Sequence, residues 1–350
     1  MLGLGAQLVG HGFFNLPARY FQLRLIRDCK ETFMPTAAEP LPTDGAPTEA
    51  QLETQLGGGK YIFGFHPHGI VPMTCGWVHM TPQWQQLFPG VQPVPLVSSI
   101  MHTIPLMRDV LQWCGVCEVT KTGFLQSLER ARAVLLVPGG QQEMLFSNSG
   151  STCIKLYSAH CGFLRIALQT RSDLVPVFAF GETQILDNLN FPITWQRWFV
   201  KKMRINVLVY VLGGGGLVPI PRPNQVSVVV GKPIKVPAVD QPSAELLVLL
   251  QRRYFTAIQE LFDKHKDEAG HATHTLEVEP DVEPLTHKEW EAILASYADR
   301  DDPDSAAATT RALDDIYKSG WVHVFVVTIV SFLVLAAYLT VYGGAGLIPK

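Results

Sequence analysis

Six short apolar runs, spaced by helical stretches, constrain this chain more than any other feature of it. They occupy residues 61–65, 94–97, 116–119, 134–137, 174–178 and 226–230. Each is nearly continuous in apolar residues, the pattern of a strand covered on both faces. Residues 105–114 and 122–132 read as helices. Ser243 caps a longer one that reaches Lys266, with Leu246, Leu247, Leu250, Tyr254, Ile258, Leu261 and Phe262 along its apolar side. Strands alternating with helices predict an α/β domain with a mixed or mostly parallel sheet flanked by helices.

The flanks divide the chain further. In residues 1–34, Phe13, Phe14, Leu16, Tyr20, Phe21, Leu23, Leu25 and Ile26 interleave with Arg19, Arg24, Arg27 and Lys30. Too short and too charged to span a bilayer, this stretch fits an amphipathic segment lying at a membrane interface. It equally fits a helix packed on its own domain. Residues 35–59 form a linker rich in Pro, Thr, Ala and Gly, and residues 60–276 hold the main domain. An acidic linker follows over 277–319, with Thr286-x-x-Glu289 as a capping box for one short helix. Residues 320–342 read as a transmembrane helix, with 343–350 as a short tail. From Trp321 to Tyr342 there is no Asp, Glu, Lys or Arg, and at ~1.5 Å per residue the run reaches roughly 33 Å. Aromatic residues stand at both ends, where interfacial anchors belong. Residues 194–216 mix Trp195, Trp198 and Phe199 with Arg197, Lys201, Lys202 and Arg204 before an apolar run; they fit either a membrane interface or a core helix and strand.

The net charge of −3 gives no electrostatic reason to expect nucleic acid as a partner. Residues 1–276 carry 23 Lys+Arg against 19 Asp+Glu, and residues 277–350 carry 5 against 12. A mildly basic body suits anionic headgroups or a CoA phosphate. Of six cysteines, only Cys114 and Cys117 have a C-x-x-C spacing. A structural zinc needs about four ligands, so these read as buried thiols in a reducing, cytosol-facing body, with no metal.

Two motifs sit at predicted strand ends, where α/β sheets expose reactive groups. Phe65-His66-Pro67-His68-Gly69 places two imidazoles within three residues. Either is a general base near neutral pH, Pro67 stiffens the turn, and Gly69 lets the backbone approach a ligand. Val137-Pro138-Gly139-Gly140-Gln141-Gln142-Glu143 offers backbone N–H groups to a developing oxyanion and one carboxylate to orient an imidazole. A third block runs Gly162-Phe163-Leu164-Arg165-Ile166-Ala167, then Val175-Pro176-Val177 to Gly181-Glu182. Here Arg165 is a partner for a CoA phosphate or a core carboxylate. A fourth ends in Val230-Gly231-Lys232-Pro233.

In this order the blocks resemble the type-2 diacylglycerol acyltransferase family, which includes monoacylglycerol and wax-alcohol acyltransferases. The resemblance covers roughly residues 16–266. H-P-H-G is its most specific element, and Tyr20-Phe21 and Arg108-Asp109 also match family positions. His160 departs from the family's usual Arg or Lys, and where animal members place a hydrophobic hairpin before H-P-H-G the segment here is short, so a different attachment to the membrane is expected.

What the resemblance implies is a layout similar to the glycerol-phosphate acyltransferases, to which the apolar run adds an expected C-terminal transmembrane helix. Those enzymes orient their histidine with an aspartate five positions later. Here Val71 and Met73 stand five beyond His66 and His68, so the orienting acid is expected to be Glu143. The implied activity is direct acyl transfer from acyl-CoA to the hydroxyl of diacylglycerol, with monoacylglycerol or a long-chain alcohol as alternative acceptors. An inactive membrane-tethered lipid-binding protein is the reading from another class. His68 is the expected base and His66 the alternative base or a structural partner. Pro67, Gly69, Gly139, Gly140, Arg165 and Arg108 are expected to contact substrate. No cofactor is called for, CoA being a substrate. The expected location is the endoplasmic reticulum membrane, with lipid-droplet contacts; whether the chain forms a homo-oligomer is left open.

Overall fold

The computed structural model describes residues 15–29, 33, 59–103, 107–188, 211–214 and 220–298. The strands are β1 (Arg24–Arg27), β2 (Tyr61–His66), β3 (Val94–Val97), β4 (Cys117–Glu118), β5 (Ala133–Leu136), β6 (Cys153–Tyr157), β7 (Asp173–Phe180), β8 (Asp187–Asn188), β9 (Val211–Leu212), β10 (Ser227–Val230) and β11 (Thr275–Glu279). The helices are α1 (Asn15–Tyr20), α2 (Pro82–Leu87), α3 (Ser99–Thr103), α4 (Met107–Trp113), α5 (Lys121–Ala131), α6 (Gly140–Phe146), α7 (Gly162–Thr170), α8 (Ala244–His265) and α9 (His287–Ala298). A seven-stranded sheet runs in the order β1-β10-β7-β2-β5-β3-β4. β10 is antiparallel to β7, while β2 pairs in parallel with both β5 and β7. The fold is thus α/β with a mixed sheet flanked by helices. All six apolar runs are strands of this one sheet.

β2 lies at the middle of the sheet, and its alternation sets up two different faces. Tyr61, Phe63 and Phe65 join a core that includes Phe21, Phe33, Trp77, Trp84 and Phe88. Ile62 faces the other way, into a core built on α5, α7 and α8 with Leu250, Tyr254, Ile258 and Phe262. The cap of α8 is as expected: Leu246 N–H donates to Ser243 Oγ at 3.1 Å, and 22 helical residues follow.

Two readings of the flanks differ from the structure. Residues 24–27 are neither interfacial helix nor loop. They pair in parallel with Ser227–Val230 as the edge strand β1, and Phe21 and Leu23 beside them are buried. The acidic stretch after Leu276 does not begin as a linker. β11 crosses that boundary and pairs with β6, where Lys155 bridges Glu277 at 3.0 Å and Glu279 at 2.6 Å. Its acidity is therefore a cross-strand charge pattern. The capping box forms: Thr286 N–H donates to Glu289 Oε2 at 2.8 Å and Glu289 N–H to Thr286 Oγ1 at 3.3 Å. The α9 helix it opens packs on the domain through Trp290, which is buried and donates to Lys235 O at 2.9 Å. The apolar run 321–342 and residues 194–210 lie outside the described residues. Among the described residues no helix is long and apolar enough to cross a membrane.

Candidate active site

The C-terminal ends of the parallel neighbours β2 and β5 bring the two histidines and the Pro-Gly-Gly turn together. His66 is the last residue of β2, on the same face as Ile62 and Gly64, and is fully buried. Past buried Pro67 the chain leaves the sheet, and His68 emerges half-buried. Gly69 then turns with φ +62°, a left-handed conformation that favours glycine. On the adjacent strand end, Pro138 and Gly139 lead into α6, which carries Glu143.

Glu143 is 2% exposed and acts as the hub. Its Oε1 lies 3.3 Å from His66 Nδ1 and accepts from Tyr157 N–H at 3.1 Å; its Oε2 accepts from His68 N–H at 2.9 Å. Burial works against its charge. The neighbouring His66 ring and its hydrogen bond, with the N–H groups of Tyr157 and His68, outweigh burial and hold the carboxyl below its usual range. Gly139 is required beside it, because a Cβ there would come within 1.9 Å of Glu143 Oε1.

This arrangement corrects the expected pairing. The carboxylate orients the ring of His66 and only the backbone of His68. The His68 ring is held instead by its own loop, with Nδ1 3.1 Å from the Gly69 carbonyl. Nδ1 is then the protonated nitrogen and Nε2 carries the lone pair. The atoms packed around His68 lower its pKa below 6.5, an effect partly offset by Glu143.

The remaining expected residues divide. Gly140 N–H donates to Val137 O at 3.2 Å, so it is engaged in the turn and does not face an oxyanion. Gly69 and Gly139 N–H groups have no hydrogen-bond partner among the described residues. His160 Nδ1 lies 3.1 Å from the carbonyl of Pro138, a bond that ties the residue before α7 to the Pro-Gly-Gly turn. Arg165 is half-buried on α7 near Cys161, with no side-chain partner among the described residues. Arg108 is exposed on α4 and pairs with its neighbour Asp109 at 3.3 Å. The structure does not bring it to the histidines. A small pocket opens over the loop, lined by Pro67, Gly69, Glu143, Ser147, Lys155 and Thr183 among others. Among the described residues no group of His, Cys, Asp or Glu is arranged to hold a metal.

Beside the site stand two buried groups to which sequence reading gives no role there. Tyr254 Oη of α8 lies 3.2 Å from His66 Nε2. The only signal for it is Gly64, where a Cβ would lie 1.9 Å from that hydroxyl. Glu182, under Gly69, is 2% exposed; it accepts from Thr74 N–H at 3.1 Å through Oε1, and its Oε2 has no described partner. Burial raises its pKa to about 7. A carboxyl with a raised pKa stabilises the fold below its unfolded pKa of 4.5 and loses that contribution as pH rises through about 7. Glu182→Gln is therefore expected to flatten the stability difference between pH 5 and pH 8, on the order of 3 kcal/mol in the parent. Thermal unfolding at the two pH values measures it, and an undiminished difference in the variant rules out Glu182 as its source.

Residues 47–279 match the Diacylglycerol acyltransferase family. The chain is 31% identical over 234 residues to diacylglycerol O-acyltransferase 2 of Homo sapiens, covering 63% of this chain and 60% of that protein. It is 33% identical over 237 residues to diacylglycerol O-acyltransferase 2A of Umbelopsis ramanniana (63% and 66% covered). To 2-acylglycerol O-acyltransferase 3 of Homo sapiens it is 33% identical over 228 residues (60% and 66%). The match thus spans about three fifths to two thirds of these relatives' length. No solved structure matches the chain. With a family match over most of its described residues, and H-P-H-G, P-G-G and Glu143 converging at one end of the sheet, the chain belongs to the diacylglycerol acyltransferase family.

Proposed function

We propose that this chain transfers a fatty acyl group from acyl-CoA to the hydroxyl of a lipid acceptor, diacylglycerol first, without a covalent acyl-enzyme. The observation that carries this reading is the state of His68. Its ring is half-buried at a strand end, with Nδ1 tied to Gly69 O and a pKa lowered by the surrounding packing. Such a ring is neutral at pH 7 and presents a basic Nε2. In the reaction, Nε2 takes the proton from the acceptor hydroxyl as that oxygen attacks the thioester carbonyl. The tetrahedral intermediate collapses, the C–S bond breaks, and the departing CoA thiolate takes the proton back from the imidazolium. Gly69 and Gly139 N–H groups are the donors proposed for the oxyanion. Arg165 is the cation proposed for the CoA phosphates. His66 takes the structural alternative, because it is buried and both its ring nitrogens are engaged. The reaction needs no cofactor beyond the acyl-CoA substrate.

Acyl chain and diacylglycerol both dissolve in a bilayer, so the proposed setting is the endoplasmic reticulum membrane with the site on the cytosolic side. The uncharged run 321–342 supports that attachment. A second reading of the acceptor rests on the relatives: acyl-CoA wax alcohol acyltransferase 2 of Mus musculus matches at 31% identity, close to the diacylglycerol enzymes. The test offers labelled oleoyl-CoA with diacylglycerol, monoacylglycerol or a fatty alcohol to membranes bearing the full chain. Triacylglycerol as the main product supports the first reading, and a preferred alternative acceptor replaces it. A well-expressed protein that yields none of the three products overturns the enzyme reading in favour of lipid binding.

A further inference from the structure

The core around His66 contains an arrangement that the acyl-transfer scheme does not use. Of the elements packed around this ring, α6 brings Glu143, the loop brings His68, and α8 brings Tyr254 with apolar Phe255, its ring centroid 6.0 Å from that of His66. Burial and the nearby Glu143 charge hold the Tyr254 phenol well above its ordinary pKa, so it keeps its proton. His66 Nε2 is its hydrogen-bond partner among the described residues. The assignment that satisfies every group has Tyr254 O–H donating to Nε2 and His66 Nδ1–H donating to Glu143. The opposite tautomer would aim a lone pair at the carboxylate and leave the phenol proton without an acceptor. β2 has glycine at position 64, where a Cβ would displace the hydroxyl.

We propose that Tyr254 is a positioning residue for the acyl transfer: its hydroxyl fixes the His66 ring so that Nδ1–H keeps Glu143 seated on the backbone N–H of His68. The role in transfer rests on the reading of the preceding section. The chain of contacts runs Tyr254–His66–Glu143–His68 at 3.2, 3.3 and 2.9 Å. It connects the long helix to the loop that carries the base. Without the hydroxyl, Nε2 faces no donor in a buried site, and the ring is no longer held with Nδ1–H on the carboxylate. Glu143 then sits less firmly on His68 N–H, and the field by which it raises the proton affinity of His68 falls off. The base then weakens.

Tyr254→Phe tests this with the aromatic packing kept. The expected result is a kcat lower by roughly tenfold with KM nearly unchanged, and an acidic limb of kcat/KM moved to lower pH by about half a unit or more. Gly64→Ala, which pushes the hydroxyl away from a different element, is expected to reproduce both effects. In parallel, ¹⁵N-histidine solid-state NMR of the full chain in proteoliposomes, with the His66 signals identified by a His66→Gln variant, reads the ring without activity. The parent is expected to show His66 with its proton on Nδ1 and Nε2 accepting, and Tyr254→Phe to lose that form. A Tyr254→Phe enzyme with less folded protein but unchanged kcat and pH profile per folded molecule reduces Tyr254 to a packing role and overturns the proposal. So does an unchanged His66 tautomer. An inactive parent overturns the acyltransferase reading instead, and the ring signal still decides whether Tyr254 holds His66.

Discussion

His68→Ala is expected to lower kcat/KM for acyl transfer by roughly 10²–10⁴-fold, the usual contribution of a positioned general base. The loss should fall on chemistry and not on folding. His68 is half-buried, and its ring bonds only within its own turn, to Gly69 O. Thermal unfolding of the variant should therefore stay close to the parent. The parent's kcat/KM should hold its plateau down to a limb below pH 6.5, because the ring's pKa is lowered. The acyl-transfer assay over pH 5–9 checks both. A variant that keeps more than a tenth of parental activity returns the base to His66, despite its burial.

Glu143→Gln is expected to damage the fold and the site together. The carboxylate accepts from His66 Nδ1, Tyr157 N–H and His68 N–H in a site that is 2% exposed. An amide keeps one acceptor oxygen and turns an NH₂ group toward donors, leaving buried N–H groups unpaired. The cost is about 2–4 kcal/mol, a fall in Tm of roughly 4–16 °C. The sign of the pH dependence follows from the depressed carboxyl. Its stabilisation is complete above the unfolded pKa of 4.5 and is lost as pH falls through the lower folded value. The variant should lose that part of the parent's acid sensitivity as well as transfer activity. A Gln variant with parental Tm and parental acid sensitivity would show that Glu143 is not ionised in the folded protein.

How much was legible follows from where each residue lies in the fold. The continuous apolar runs announced the central strands because both faces of that sheet are covered, so burial leaves no alternation to misread. β1 gave no such sign. Its residues are arginine-flanked and only partly buried, and its partner β10 is about 200 positions away in the chain. β11 looked like a linker because its glutamates are solvent-facing, and only the pairing with β6 supplies Lys155 to them.

The same division holds at the site. Residue type and order alone determined that His66, His68 and Glu143 belong together, since each motif ends a strand and parallel neighbours expose the same end. Which imidazole receives the carboxylate was decided only by tertiary structure. His66 still belongs to β2 and points with Ile62 and Gly64 into the α8 face, whereas His68 lies past the turn, so the buried carboxylate reaches the buried ring. Tyr254 shows the limit most clearly. Helical periodicity put it in an apolar stripe, and it is indeed buried there. A phenol and a leucine look alike to that periodicity, and only the approach of α8 over a glycine in β2 turns its hydroxyl into a partner for His66.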